Sequence, residues 1–357
     1  MKLHFEPNLD YQLQAVEAVC DLFRGQEVCR TEFTVTMRSV AGVPDNDLFP
    51  GAAPQQLTLG MAESELGVGN RLTLLDDEIQ KNLGDIQLRH GLPPSGALTS
   101  GDFTVEMETG TGKTYVYLRT VFELNKRYGF TKFVIVVPSV AIKEGVYKSL
   151  QITEEHFKGL YAGVPFDYFV YDSAKLGQVR NFATSPQIQV MVVTAGAINK
   201  FGDEDEATRE ESDESRRREK SKNVMYRASE KTGGEKPIDL IRATRPVLII
   251  DEPQSVDGGL EGRGKKALDR MNPLCSLRYS ATHAEKHHMV YRLDAVDAYE
   301  QRLVKQIEVA AATVEDAHNK PYVLVKKVEN KRGNIPDGHP NSPTCGHPNS
   351  PTLMASA

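Results

Sequence analysis

Apolar residues recur at helical spacing over residues 9–24, at Leu13, Val16, Val19 and Phe23, and Gly25 stands where that helix should stop. The same period returns over 71–90 through Leu74, Ile79 and Leu83. Between them, 33–37 reads as a strand and 41–59 is rich in Gly, Pro and Asn. From about residue 101 to 282 the rhythm changes. Short apolar runs at 103–107, 132–137, 167–171, 188–193, 247–251 and 276–280 predict strands, and amphipathic stretches between them predict helices. One such helix covers 115–128, with Val116, Leu118, Val121, Phe122 and Leu124 available for packing. Runs such as Phe133 to Val137 do not alternate, so both of their faces must be buried. The class that satisfies this is α/β, a mostly parallel sheet with helices on both faces.

Two stretches depart from the pattern. Residues 203–222 hold nine acidic and six basic side chains and almost nothing apolar, which predicts a solvated insertion whose Arg216-Arg-Arg218 could touch a phosphate backbone. After residue 328 the packing pattern is lost, and Gly338-His-Pro-Asn-Ser-Pro-Thr344 repeats as Gly346-His-Pro-Asn-Ser-Pro-Thr352. Such a segment cannot bury a core, so 329–357 is expected to be a disordered Pro-rich tail.

The turn between the first buried strand and its helix reads Met107-Glu-Thr-Gly-Thr-Gly-Lys-Thr114. A glycine turn there lets the N–H groups of Thr109, Gly110, Thr111 and Gly112 close around phosphates while the helix N-terminus faces them. Lys113 would lie near the outer phosphates, and Thr114 can offer its hydroxyl to Mg2+. The first position usually holds Gly or Ala, and here it is Met107.

A phosphate loop needs a carboxylate for the metal. The apolar run Val247-Leu-Ile-Ile250 ends in Asp251-Glu252-Pro-Gln254, at the strand end where open α/β sheets bind ligands. Asp251 is placed to hold Mg2+ and Glu252 to act as general base on the attacking water. Ser280-Ala281-Thr282 ends the next strand, where small hydroxyl residues could couple the carboxylates to another surface. Gln12 can donate and accept at the N6/N7 edge of adenine, or simply start a helix. Ser139 and Lys143 follow one strand, and Thr194 and Lys200 another; on one sheet edge they could hold a nucleic-acid backbone without reading bases.

The 357 residues suffice for one or two domains, and the net charge of −6 gives no overall basic signature. Cys20, Cys29, Cys275 and Cys345 are scattered with no C-x-x-C pair, against a zinc ribbon or disulfide scaffold. The apolar runs are too short to span a bilayer, so no membrane role and a cytoplasmic location are expected.

With Tyr11-Gln12, the phosphate loop, Val137-Pro-Ser-Val-Ala-Ile-Lys143, Val193-Thr-Ala-Gly-Ala-Ile198, Asp251-Glu-Pro-Gln254 and Tyr279-Ser-Ala-Thr-His283 in this order, residues 1–328 resemble superfamily 2 helicases. The resemblance is greatest to the restriction (Res) subunit of type III restriction–modification enzymes, whose phosphate loop also takes the Met-Glu-Thr-Gly-Thr-Gly-Lys-Thr form. It implies a RecA-like P-loop NTPase domain over 101–284, an N-terminal Gln-motif helix and extension over 1–100, and a start of the connection to a second motor domain over 285–328. It implies ATP and Mg2+ as cofactors, with Gln12 on adenine, Lys113 and Thr114 on ATP and Mg2+, and Asp251 and Glu252 coordinating and hydrolysing. Double-stranded DNA and a methyltransferase (Mod) subunit are the implied partners, with ATP hydrolysis coupled to an endonuclease in the full-length family. The later helicase motifs and the nuclease domain do not follow residue 328, so the expectation is a truncated chain with little activity. Another superfamily 2 helicase or translocase, or a non-enzymatic remnant, is the alternative.

Overall fold

Every residue of Lys132–Val137 and of Val247–Asp251 is buried, as a strand covered on both faces requires. The computed structural model describes residues 5–28, 35–37, 64–199, 223–257, 262–283 and 285–305. The insertion at 203–222, the tail at 329–357, and residues Lys200, Cys29 and Cys345 lie outside them.

Nine strands are described. β1 (Val35–Met37) and β2 (Ser64–Gly67) form a separate antiparallel pair. β3 (Asp102–Met107), β4 (Lys132–Val137), β5 (Phe166–Val170), β6 (Ile188–Thr194), β7 (Val247–Asp251), β8 (Cys275–Ser280) and β9 (His288–Leu293) make one sheet. Its order is β5-β6-β4-β7-β8-β3-β9, and every neighbouring pair is parallel. Parallel neighbours need crossovers, and helices supply them on both faces. This is a RecA-like α/β fold.

Alternate residues serve the two layers. Phe133, Ile135 and Val137 join Val247 and Ile249 in one apolar cluster with α1 (Asp10–Asp21), α2 (Asp76–Arg89), α3 (Lys113–Tyr128) and α4 (Val140–Leu160). Val134, Val136, Leu248 and Ile250 join the other, with Phe182 of α5 (Gly177–Thr184), Ile241 of α7 (Pro237–Ala243) and Leu268 of α9 (Arg263–Asp269). Three short helices complete the set: α6 (Ala195–Ile198), α8 (Pro253–Val256) and α10 (Ala295–Glu300).

The strand at 288–293 was not read from the sequence. It extends the sheet beyond residue 284 by pairing with β3, and α1 and α2 pack against it. Residues 1–305 thus form one compact unit, in which the N-terminal helix is part of the layer under the phosphate loop.

The second layer turns polar under β8. Arg278, only 3% exposed, bonds Asp257 and lies 3.5 Å from Asp102 of β3. Burial pushes the Asp257 carboxyl up against the pull of Arg278. Removing one partner of a buried pair strands the others, at about 3–5 kcal/mol, and the partial exposure of Asp257 favours the low end. Arg278→Leu should therefore lose about 3 kcal/mol in a denaturant titration. An unchanged midpoint would show that solvent already satisfies these carboxylates.

Candidate active site

The C-terminal edge of the sheet gathers the chemistry. Met107, the unusual first residue of the phosphate loop, ends β3 fully buried beside Leu293 of β9, so its bulk goes into the core and not into the loop. Gly110 and Gly112 then take φ of +87° and +88°, which glycine adopts without strain. Gly112 is the N-cap of α3, and no side chain caps that terminus, so its first N–H groups are left for an anion. At Gly112 space is short as well. A Cβ there would stand 2.5 Å from Nε2 of Gln12.

Gln12 is buried on α1 and donates from Nε2 to the carbonyl of Thr111 at 3.0 Å. The Thr111 hydroxyl in turn donates to the carbonyl of Glu108 at 2.6 Å. The loop is thereby braced from within and from α1. Thr109 is exposed at its tip, its N–H on the Glu108 carboxylate at 2.8 Å. Thr114 lies in the first turn of α3.

The second half of the site comes from β7, two strands away. β8 lies between β3 and β7, and the register sets Glu106 beside Ser280 and Asp251 beside Tyr279. Glu252 follows with φ of +52°, a left-handed conformation that costs a non-glycine residue roughly 1 kcal/mol or more. It carries the Glu252 carboxylate between two donors. Lys113 Nζ bonds Oε1, and Ser280 Oγ bonds Oε2. Gln254 Nε2 bridges Glu252 Oε2 at 2.7 Å and Ser280 Oγ at 3.2 Å. Burial alone would raise the Glu252 pKa, but the bonds from Lys113, Ser280 and Gln254 win and hold it below its ordinary value.

Asp251 is the opposite case. Burial pushes its carboxyl up to about 6, with Lys113 opposing and Glu252 adding to the rise. Its Oδ1 is buried with no hydrogen-bond partner among the described residues, and Lys113 Nζ is 3.9 Å away. An unsatisfied buried carboxylate oxygen is what a cation would satisfy. Among the described residues no three side chains form a metal cluster by themselves. The Asp251 oxygen fits Mg2+, which takes one or two carboxylates and completes its shell with water and phosphate oxygens.

The remaining predicted residues fall into two groups. Ser280 also reaches the Thr282 carbonyl at 2.8 Å, with Ala281 between them, while Thr282 is exposed. Ser139 caps α4 by accepting from the Ile142 N–H, and Thr194 ends β6 next to Val137 of β4. These two loops are neighbours on the same edge as Asp251. Lys143 pairs with Glu144 at 3.5 Å. Sequence reasoning passed over Gln254, although it stands two residues after Glu252 in a quoted motif.

The model of the family described as type III restriction enzyme, res subunit matches residues 8–285. The chain belongs to this Res family. Two curated relatives show the extent. The Res subunit of the type III restriction-modification enzyme EcoP15I from Escherichia coli is 31% identical over 260 residues, 66% of this chain and 24% of that protein. The EcoPI Res subunit from Escherichia phage P1 is 28% identical over 327 residues, 85% of this chain and 28% of that protein. The chain thus spans about a quarter of the length of the Res subunits it matches. Among solved structures, a nuclease-deletion mutant of the type ISP restriction-modification enzyme LlaGI in complex with a DNA substrate mimic aligns over 65% of this chain and 21% of its own. Its TM-score is 0.35 and its identity 14%, so it adds nothing to the family match. The matched Res region has a P-loop NTPase fold. No helix among the described residues is long and apolar enough to cross a membrane.

Proposed function

We propose that this chain is the ATP- and DNA-binding motor portion of a type III Res subunit, working in the cytoplasm on double-stranded DNA with a Mod subunit as partner. One observation carries the reading: Lys113, Asp251 and Glu252 converge beside an uncapped, glycine-flanked helix N-terminus. Phosphates would lie on that terminus with Lys113 moved onto them. Thr114 and Asp251 would hold Mg2+, which when bound draws charge from the phosphate oxygens. Glu252 would accept the proton of the attacking water, and Ser280 and Gln254 fix its carboxylate for that task. Ser280, Ala281 and Thr282 would pass the state of that carboxylate to the edge carrying Ser139, Lys143, Thr194 and Lys200, which would track the DNA backbone. The compact unit that runs to Lys305 would be the ATP-binding motor body, with the residues up to 328 leading towards a second one.

Gln12 gives the test. Its amide would read adenine while its Nε2 leans on the Thr111 carbonyl, joining base identity to loop geometry. A good bidentate base contact discriminates by about 1–3 kcal/mol. The full chain should bind ATP in an Mg2+-dependent way and prefer it to GTP by roughly ten-fold, and Gln12→Ala should reduce that preference to about two-fold, in calorimetric titrations. Equal affinity of the unaltered chain for ATP and GTP would remove the adenine role, and no nucleotide binding would remove the motor reading.

A further inference from the structure

Beyond the backbone-tracking residues, the same sheet edge opens into a cleft of about 850 Å3 past the ends of β5 and β6. Ligand sites span roughly 300–1,000 Å3, so a nucleotide fits with room to spare. Its walls come from the first turns of α4, from β5 and from the turn that follows it, and they carry Tyr147, Tyr168 and Tyr171 with Lys143, Lys175 and Gln178. The rings of Tyr147 and Tyr168 meet edge to face, 5.7 Å between centroids, and both remain half-exposed. The Tyr168 hydroxyl is anchored on Glu154 at 2.7 Å, which fixes that ring. The Tyr171 hydroxyl is buried and has no hydrogen-bond partner among the described residues.

Each feature fits a flat, hydrogen-bonding ring on a charged backbone. Tyr168 is held between Phe166, stacked on it at 5.8 Å, and Tyr147, so the half-exposed Tyr147 ring, braced against a fixed neighbour, is the one that offers stacking surface at low entropic cost. An unsatisfied hydroxyl calls for an acceptor or donor on the ligand. Both carboxylates lining the cleft are engaged: Glu144 pairs with Lys143, and Asp172 accepts the Ala174 N–H at 2.9 Å. Lys175 is exposed at the rim, where a phosphate would pass. Lys143 belongs to this wall and to the backbone track that starts at Ser139, so a strand held by one reaches the other.

We propose that this tyrosine cleft takes one unstacked base of a DNA strand lying along the Ser139 and Thr194 loops. The proposal rests on the DNA-binding reading above and names the site within it. Stacking is read through any base, so the cleft would sense whether the strand is locally unpaired, and not its sequence.

The test uses the full chain and a single-stranded oligonucleotide with one 2-aminopurine, whose fluorescence reports stacking, beside a fully paired duplex of the same sequence. Tyr147→Leu should weaken single-strand binding about ten-fold and abolish the fluorescence change, with duplex binding altered less than about two-fold. Tyr171→Phe, which keeps the ring, should keep the fluorescence change and weaken binding only about three-fold. Unchanged MgATP affinity and melting temperature show that each variant is folded. Single-strand affinity within two-fold of the unaltered chain in Tyr147→Leu overturns the cleft, whereas no binding of the unaltered chain to either DNA overturns the DNA reading and the cleft with it. Equal losses for single strand and duplex would make the cleft a general backbone contact, and that too overturns it.

Discussion

Lys113→Ala is expected to lower ATP affinity by at least about 100-fold while leaving the fold in place. Unit charges 4 Å apart attract by about 4 kcal/mol at an effective dielectric near 20, or about a thousand-fold, and water entering the space left by the side chain returns part of that. The structure adds a second consequence. Among the described residues Lys113 is the cation paired with both Asp251 and Glu252, so its loss leaves two adjacent carboxylates without that counter-charge. Asp251, already raised to about 6 by burial, would rise further, and Glu252 would lose the first of the bonds that hold it low. Binding of a fluorescent ATP analogue at pH 7.5, followed by displacement with ATP, measures the loss. Affinity within about three-fold of the unaltered chain would show that the phosphates lie elsewhere than on this loop.

The sequence made the phosphate loop and the acidic strand end readable for a physical cause. β7 is buried throughout, so its apolar run Val247 to Ile250 is unbroken and the first polar residues after it stand at the sheet edge, whereas β3 alternates Phe103, Val105 and Met107 with Thr104 and Glu106 and is marked by the glycine turn that follows it. β4 and β6 were legible in the same way. β9 was not. Its residues His288-Met-Val-Tyr-Arg-Leu293 mix polar and apolar positions because it is an edge strand with Arg292 exposed, and such a run is easily taken for a connection. Met107 looked like a departure from the loop pattern, and its burial shows why the position accepts a large residue.

Pairings between distant residues could not be read at all. Lys113 and Glu252 are 139 positions apart, and only the placement of β8 between β3 and β7 brings Ser280 to the same carboxylate. The role of Gln254 depends on the left-handed turn at Glu252, which a Glu before a proline does not announce. The tyrosine cleft is spread over α4, β5 and the following turn, so no spacing marks it.

Glu252→Gln should separate binding from chemistry. Glu252 holds Lys113, so ATP would have to break that ion pair before the lysine could reach its phosphates. Glutamine keeps the shape and can still pair with Ser280 and Gln254, but it does not bind a lysine as a charge. ATP affinity is therefore expected to hold or to rise by about two- to five-fold, on the scale of about 1 kcal/mol for a half-buried ion pair. Hydrolysis should move the other way. A positioned general base contributes about 10²–10⁴-fold, and single-turnover hydrolysis should fall by at least about 100-fold. If Glu252 is the base, the same ion pair would set when it becomes competent. While Lys113, Ser280 and Gln254 hold it, the carboxylate stays below its ordinary pKa and is a weak base. Once Lys113 moves to the phosphates, the first of those lowering bonds is lost and the carboxylate gains basicity at the moment the water must be activated. Coupled in this way, the exchange would guard against hydrolysis before the nucleotide is seated. Glu252→Gln losing ATP affinity in step with turnover would assign the residue to phosphate or metal positioning, and turnover within about five-fold of the unaltered chain would exclude it as the base.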